Sequence, residues 1–307
     1  MKKVILLLNM GGPNNLNEVE IFLKNMFNDP CILGIKNSIL RKFMANLISC
    51  FRVNSAIKNY KAIGGKSPIV DITKSLVDKI SKQFECDFIM RYTPPFAFDV
   101  LQKYKDYNEI ILIPLYPHHS ITTTVSSIED IKFNLQKLGF KNRLKIVDVF
   151  YDNLYYNKII LNLIKEKVVN LTQDEILQTT LIFSAHSLPK KIVKNGDLYE
   201  KHIVEHFEIL KDLLQKDGLN FKDIKLAYQS RLGPIEWLGP NLSDILPNIK
   251  PKRALIFPLS FCIDNSETDF ELNIEYRHLA SDFLYYEVCK CPNDLDEFAK
   301  FLILILH

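Results

Sequence analysis

The sequence lacks the patterns that mark several large classes of protein. Its six cysteines include no C-x-x-C pair, and a chain of 307 residues needs no disulfide framework, so we expect reduced thiols and a cytoplasmic protein. The net charge of +3 comes from 39 basic and 36 acidic residues spread along the chain. Because there is no basic tail, this charge pattern argues against nucleic acid as a partner.

Long apolar runs are also missing. Residues 4–8 form an apolar run that is too short for a signal peptide and leads into Gly11-Gly12-Pro13 without a cleavage site. Residues 298–306 are strongly apolar but fall far below the roughly 20 residues that span a bilayer. We predict a buried first strand and a docking helix, and we leave a peripheral contact with the inner face of a membrane open.

The glycine-rich motifs of nucleotide-binding folds do not occur either. The sequence contains neither G-x-G-x-x-G nor G-x-x-x-x-G-K-[ST]. Ser184 lacks the flanking glycines of the G-x-S-x-G nucleophile elbow. These absences argue against a dinucleotide site and against a serine nucleophile of that type.

Short apolar runs alternate with longer amphipathic stretches, a pattern typical of parallel strands that helices bury on both faces. The fold class is therefore α/β. Residues 109–116 resemble residues 253–260, which suggests two similar halves, although short likenesses of this kind also arise by chance. We predict strands at residues 4–9, 88–92, 110–116, 145–149, 180–184, 225–229 and 254–259.

The strand exits at Met10, Tyr116, His186 and Ser260 belong at the carboxyl ends of parallel strands, where open α/β sheets bind ligands. We therefore expect the functional residues to gather in one cleft. The predicted domains are residues 1–145 and 146–291, with a helix at about 292–307 that packs back on the first domain.

Two patterns supply chemistry for this cleft. His186 follows an apolar strand, and a neutral imidazole accepts a proton near neutral pH. Glu267, Glu271 and Glu275 recur every four residues, so a helix from about Ser266 aligns their carboxylates on one face. Imidazole and carboxylates together can bind a divalent metal or move protons, whereas a solvated helix face is the competing interpretation.

Four other histidines need an interpretation. His202 and His206 belong to an H-x-x-E-H pattern that binds zinc in some hydrolases. Their charged neighbours favour a solvent-exposed helix face, so we interpret them as surface residues and keep a zinc hydrolase as an alternative. His118 and His119 lie on an extended segment, where neighbouring side chains point to opposite sides. At most one of the two faces the cleft, and packing explains it as well as function does.

Several segments in chain order resemble motifs of the ferrochelatase family over nearly the whole chain. They are residues 7–13, 60–69, 90–92, 116–120, 183–189, 196–199, 228–234 with Trp237, and the acidic run 264–271. The resemblance implies two similar Rossmann-like domains of the chelatase type, each a parallel sheet flanked by helices, with a cleft between them. It also implies insertion of Fe(II) into protoporphyrin IX with release of two protons, the last step of protoheme synthesis.

The resemblance also implies roles for individual residues. His186 and Glu267 match the catalytic pair and, with Glu271 and Glu275, the residues that handle the metal. Iron is a substrate in this reaction, so no permanently bound cofactor is implied. The positions that match the porphyrin site are Met10, Arg52, Tyr60, Ser67, Arg91, Tyr92 and Trp237.

The sequence departs from the family pattern at Asn265, where a second histidine is usual, so a mechanism that needs that imidazole does not transfer. Met10 favours protoporphyrin IX over coproporphyrin III. Cys262, Cys289 and Cys291 are too few for an iron–sulfur cluster, which we do not expect. A chelatase that inserts cobalt and a non-catalytic heme carrier stay as alternatives, and a monomer is expected.

Overall fold

The structure is a computed structural model that describes residues 2–231 and 233–306. Within these residues, eight strands form two parallel sheets of four strands each. The strands are β1 (Lys3–Asn9), β2 (Cys86–Met90), β3 (Glu109–Pro114), β4 (Arg143–Ile146), β5 (Thr180–His186), β6 (Asp223–Gln229), β7 (Arg253–Pro258) and β8 (Tyr285–Val288).

Helices connect successive strands, as parallel pairing requires. Two of the helical segments, Ile121–Val125 and Glu267–Glu275, are π-helices, and Leu16–Glu18 and Leu246–Asn248 are short 3₁₀ turns. The α-helices are α1 (Val19–Phe27), α2 (Pro30–Leu33), α3 (Ser38–Ala62), α4 (Ile69–Ile80), α5 (Ala97–Gln102), α6 (Ser126–Leu138), α7 (Leu154–Val168), α8 (Gln173–Leu177), α9 (Lys190–Lys194), α10 (Tyr199–Lys216), α11 (Leu242–Ile245), α12 (Tyr276–Leu279) and α13 (Asp296–Leu304).

The described residues divide into two compact units, each with its own sheet. One unit takes in the chain up to Tyr116, Ser120–Val149 and the chain from Asp294 onward; the other takes in Pro117–His119 and Phe150–Asn293. The strand order is β2-β1-β3-β4 in the first unit and β6-β5-β7-β8 in the second. The predicted α/β class with two similar parallel sheets is therefore confirmed.

The similarity of the two sheets extends to their register. Leu8 of β1 lies opposite Pro114 of β3, and Ser184 of β5 lies opposite Pro258 of β7. In both units a π-helix follows the third strand. The short sequence likeness around the two prolines thus marks equivalent strands.

Apolar side chains bury the inner strands on both faces, which explains why their sequences are continuous apolar runs instead of alternating ones. Strands β3 and β7 are buried at every position. The core of the first unit packs β1 and β3 against α5 and α6, and that of the second packs β5 and β7 against α11, α12 and Leu272 of the second π-helix. Each sheet is therefore firmly packed, and the carboxyl ends of its strands can hold functional side chains in fixed positions.

The structure corrects four details of the predicted strands. The strands expected at 88–92 and 110–116 end at Met90 and Pro114, and the one expected at 145–149 runs over Arg143–Ile146 instead. Strand β8 was not predicted. It is an edge strand of four residues in which buried and partly exposed positions alternate, so it carries no apolar run to reveal it.

The C-terminal helix α13 packs against α4 in the first unit. Its apolar residues Phe298 and Phe301 are buried with stacked rings 6.1 Å apart, and Lys79 Nζ of α4 lies 2.8 Å from Asp296 Oδ1. The predicted docking helix is thus present as a buried amphipathic segment.

We expect Phe301→Ala to lower the free energy of unfolding by about 3–5 kcal/mol, because removing a buried aromatic ring leaves a cavity in the packing of α13. Leu304→Ala on the same helix is the matched control, since Leu304 is 54% exposed and its loss should change stability by no more than about 0.5 kcal/mol. Urea unfolding of the full chain measures both. Equal effects of the two variants would contradict the packing of α13.

Candidate functional site

His186 is the last residue of β5, so its backbone is fixed by the sheet while its side chain projects beyond the strand end. Its N–H donates to Ser260 Oγ at 2.9 Å, which links the exits of β5 and β7. Its carbonyl oxygen accepts from the Tyr199 hydroxyl at 2.9 Å. At this end of β5 the chain connections on the two sides of the strand run in opposite directions. Ligands of open α/β sheets usually bind at such a point.

The imidazole of His186 is hydrogen-bonded to Glu267, with His186 Nδ1 2.8 Å from Glu267 Oε2. Burial alone would lower the pKa of His186, but the charge and hydrogen bond of Glu267 outweigh it and raise the pKa. Burial likewise opposes ionisation of Glu267, and the His186 contact, with hydrogen bonds from Ser230 and Gln229, lowers its pKa. Neutral His186 donates Nδ1–H to the carboxylate and keeps the Nε2 lone pair as a proton acceptor.

Gln229 holds Glu267 from the neighbouring strand. Its amide oxygen accepts from the Ser184 hydroxyl at 2.6 Å, which directs its Nε2 toward Glu267 Oε2 at 3.3 Å. Gln229 and Ser184 are both fully buried. The orientation of Glu267 is therefore set by strands β5 and β6 together.

Glu271 shares this environment through Ser230, the residue that follows β6. Ser230 Oγ lies 2.9 Å from Glu267 Oε2 and also hydrogen-bonds Glu271 Oε2, while the Ser230 N–H donates to Glu271 Oε1 at 2.8 Å. Burial and the nearby charge of Glu267 raise the pKa of Glu271 to about 7. Glu275, by contrast, is exposed.

The acidic helix is not the α-helix that spacing by four suggested. Residues Glu267–Glu275 form a π-helix, in which hydrogen bonds run from i to i+5 and each turn is wider. Asn265 anchors its first turn, because its side-chain oxygen accepts the Glu267 N–H at 2.8 Å. Where the family usually has a second imidazole, this chain has an amide that fixes the start of the helix.

Four of the predicted porphyrin residues lie in the first unit near the exit of β1 and along α3. Met10 is partly buried and receives the Tyr92 N–H on its carbonyl. Tyr60 and Ser67 are buried. Ser67 packs so closely on Gly12 that a Cβ added to Gly12 would lie 2.6 Å from the Ser67 side chain. Only Arg52 combines partial burial, which lowers its pKa, with no carboxylate partner in the described part of the chain.

Arg91 and Tyr92 make an internal network in the first unit. The Arg91 guanidinium lies 2.8 Å from Asp29 and 3.5 Å from Asp130, and its Nε donates to Ser126 at 3.0 Å. The Tyr92 hydroxyl donates to Asp29 at 3.1 Å. Their polar atoms are therefore already engaged by protein groups.

Trp237 lies on the loop that follows β6 in the second unit. Its backbone forms an isolated bridge with Pro189, and the Leu238 N–H donates to the Leu188 carbonyl at 2.9 Å. This pairing brings the tryptophan loop against the segment that leaves His186, on the same unit as the catalytic candidates.

The surface interpretation of His202 and His206 is wrong. Both are buried on the inner face of α10, where His206 Nδ1 lies 2.8 Å from His118 Nε2 and His206 Nε2 lies 2.7 Å from Asn157 Oδ1. Asn157 donates its amide N–H to the Tyr151 carbonyl, so its oxygen accepts from His206, and His206 Nδ1 in turn accepts from His118. His118 is the buried member of its pair, and His119 is partly buried.

Within residues 2–231 and 233–306, no three His, Cys, Asp or Glu side chains converge in a preformed metal cage. Sequence reasoning found His186, Glu267 and Glu271 but assigned no role to Gln229 or Ser230. The motif around residues 228–234 had singled them out, whereas the hydrogen bonds that define their roles depend on backbone geometry.

The family model described as ferrochelatase matches residues 2–307. A protein named ferrochelatase from Campylobacter fetus subsp. fetus is 56% identical and covers 98% of each chain, and one from Campylobacter concisus is 55% identical over 99% of this chain and 96% of the relative. The solved structure of SirB from Bacillus subtilis with Fe3+ superposes with a TM-score of 0.59 at 9% identity, covering 99% of this chain and 96% of that one, which shows the shared fold.

The histidine cluster predicts a pH-dependent stability. Burial lowers the pKa of His206 to about 3, while an unfolded histidine binds its proton near pH 6.5. The unfolded state therefore takes up the proton first, so the free energy of unfolding falls as the pH falls from about 6.5 toward 3.

His206→Gln tests this expectation, because glutamine can keep both hydrogen bonds but cannot ionise. In urea unfolding between pH 7 and 4, the wild-type curve should fall more steeply than the variant curve, by up to about 1.4 kcal/mol per pH unit. Parallel curves for wild type and His206→Gln would refute the neutral buried state.

Proposed function

The chain belongs to the ferrochelatase family, and from this premise we propose that His186 and Glu267 carry out the proton transfer of its reaction. A ferrochelatase is a metal chelatase of the lyase class that inserts iron into a porphyrin, the final step of heme biosynthesis. The observation that supports the assignment is the 2.8 Å hydrogen bond between His186 Nδ1 and Glu267 Oε2 at the exit of β5.

Metallation needs a base because a free-base porphyrin carries two N–H protons that must leave when the metal enters. His186 Nε2 is the acceptor, and the carboxylate of Glu267 stabilises the imidazolium that forms. Glu271 lies one hydroxyl away through Ser230 and is the next group that can accept a proton. Imidazole and carboxylate oxygens are ligands that Fe(II) accepts without the tight hold of thiolates.

Arg52 is the residue we propose for one carboxylate of the porphyrin, because it is a half-buried cation without a carboxylate partner in the described chain. Met10, Tyr60 and Ser67 are the other porphyrin residues that we propose in the first unit, and Trp237 is the one that we propose in the second unit. Arg91 and Tyr92 act on the porphyrin site indirectly. Their contacts with Asp29 hold the segment that follows β2 in place. We propose protoporphyrin IX as the substrate, with coproporphyrin III as the alternative.

We propose that the protein holds no resident cofactor and no iron–sulfur cluster. Cys262, Cys289 and Cys291 are buried, and burial raises the pKa of each thiol, that of Cys262 to about 12. Protonated thiols are poor metal ligands. Fe(II) is a substrate that enters and leaves with each turnover.

We propose a cytoplasmic monomer that contacts the inner face of the membrane through α3. None of the described helices is both long and apolar enough to cross a bilayer. Helix α3 has an exposed apolar stripe at four-residue spacing, in which Ile39, Phe43 and Phe51 are 82%, 62% and 79% exposed. The helix also carries five basic residues and no acidic one, which suits a surface of anionic lipid.

His186→Ala and Glu267→Gln should each lower kcat by about 10²–10⁴-fold, because they remove the proton acceptor or the charge that stabilises it. An anaerobic assay with Fe(II) and protoporphyrin IX that follows loss of porphyrin fluorescence measures the change. Porphyrin binding without iron should persist in both variants. His278→Ala, at an exposed position, is the control, and near-normal turnover of His186→Ala would contradict the assignment.

The double variant Phe43→Ser/Phe51→Ser should weaken binding to phosphatidylglycerol vesicles by at least about tenfold, because it removes two apolar side chains from the proposed interface. Cosedimentation with vesicles measures the binding. Phe133→Ser is the matched control, since Phe133 is 63% exposed on α6. Binding that is equal for neutral phosphatidylcholine vesicles, or insensitive to the double variant, would rule out this surface.

A further inference from the structure

Ser230 has a backbone conformation that its residue type seldom adopts. It follows β6 directly and has φ of +65°, in the left-handed region that favours glycine. Non-glycine residues held in this region often occur at functional sites.

The conformation directs two donors of one residue at two carboxylates. The backbone N–H donates to Glu271 Oε1 at 2.8 Å, and the hydroxyl hydrogen-bonds Oε2 of both Glu267 and Glu271. A serine hydroxyl carries a single hydrogen and donates to one carboxylate at a time. The backbone N–H therefore holds Glu271 whichever partner the hydroxyl serves.

We propose that Ser230 is a positioning residue for metallation, which holds Glu267 against His186 and keeps Glu271 beside it. Two carboxylates that share one serine hydroxyl repel each other, and hydrogen-bond donors placed between them offset that repulsion. Gln229 supports Glu267 alone, whereas Ser230 is the described residue that hydrogen-bonds both carboxylates. The inference rests on the proposed roles of His186 and Glu267.

A purely structural role for Ser230 makes a different prediction. If the residue only shapes the turn after β6, activity should follow stability, and glycine should serve at least as well as serine because it adopts a positive φ without strain. If the hydroxyl positions the carboxylates, glycine should fold well and catalyse poorly. Substitutions at this one position therefore separate the two roles.

The experiment compares Ser230→Gly, Ser230→Ala and Ser230→Thr with wild type. The melting temperature should decrease in the order glycine, alanine, threonine, because a β-branched residue is least tolerated at positive φ. Activity should follow a different order, with threonine above glycine and alanine because it keeps the hydroxyl. We expect Ser230→Gly and Ser230→Ala to lose about 10–100-fold in kcat/KM for Fe(II), with KM for the porphyrin within about twofold of wild type.

Ser281→Gly, at an exposed serine of the same unit, is the control and should keep full activity. Wild-type activity in Ser230→Gly, or activity that follows melting temperature across the series, would overturn the inference while leaving the proposed function intact. A wild type that binds porphyrin but never metallates it would overturn both.

Discussion

The hydrogen bond between His186 and Glu267 is the interaction on which the candidate site depends. It joins the end of a strand to the start of a helix, so both elements must end and begin at fixed residues. The buried sheet fixes His186, and the Asn265 amide fixes the first turn that carries Glu267. The contact then raises the proton affinity of the imidazole while it keeps the carboxylate ionised.

Three glutamates of one helix illustrate how environment decides the chemistry of a side chain. Glu267 is held ionised by the His186 contact and by hydrogen bonds from Ser230 and Gln229. Glu271 has its pKa raised to about 7 by burial and by its neighbour, and Glu275 faces solvent. Equal spacing in the sequence therefore gives unequal groups. The first residue of the helix carries a paired carboxylate, and its last residue carries an ordinary surface carboxylate.

The sequence revealed the parts of the fold that depend on hydrophobicity alone. Inner strands are continuous apolar runs because both faces are buried, and the exit of such a run located His186. It could not reveal β8, whose four residues lack that pattern, or the burial of His206, which depends on a partner 88 residues away at His118. The role of Ser230 was also hidden, because the sequence does not show that this serine has a positive φ.

Both units place a π-helix after their third strand, but only one of these helices is acidic. Residues Ile121–Val125 of the first unit are apolar or threonine, whereas Glu267–Glu275 carries the carboxylates. The wide turn therefore occurs in both units, with and without carboxylates. The side chains that it displays, and not the backbone feature itself, distinguish the unit with the candidate site from the other unit.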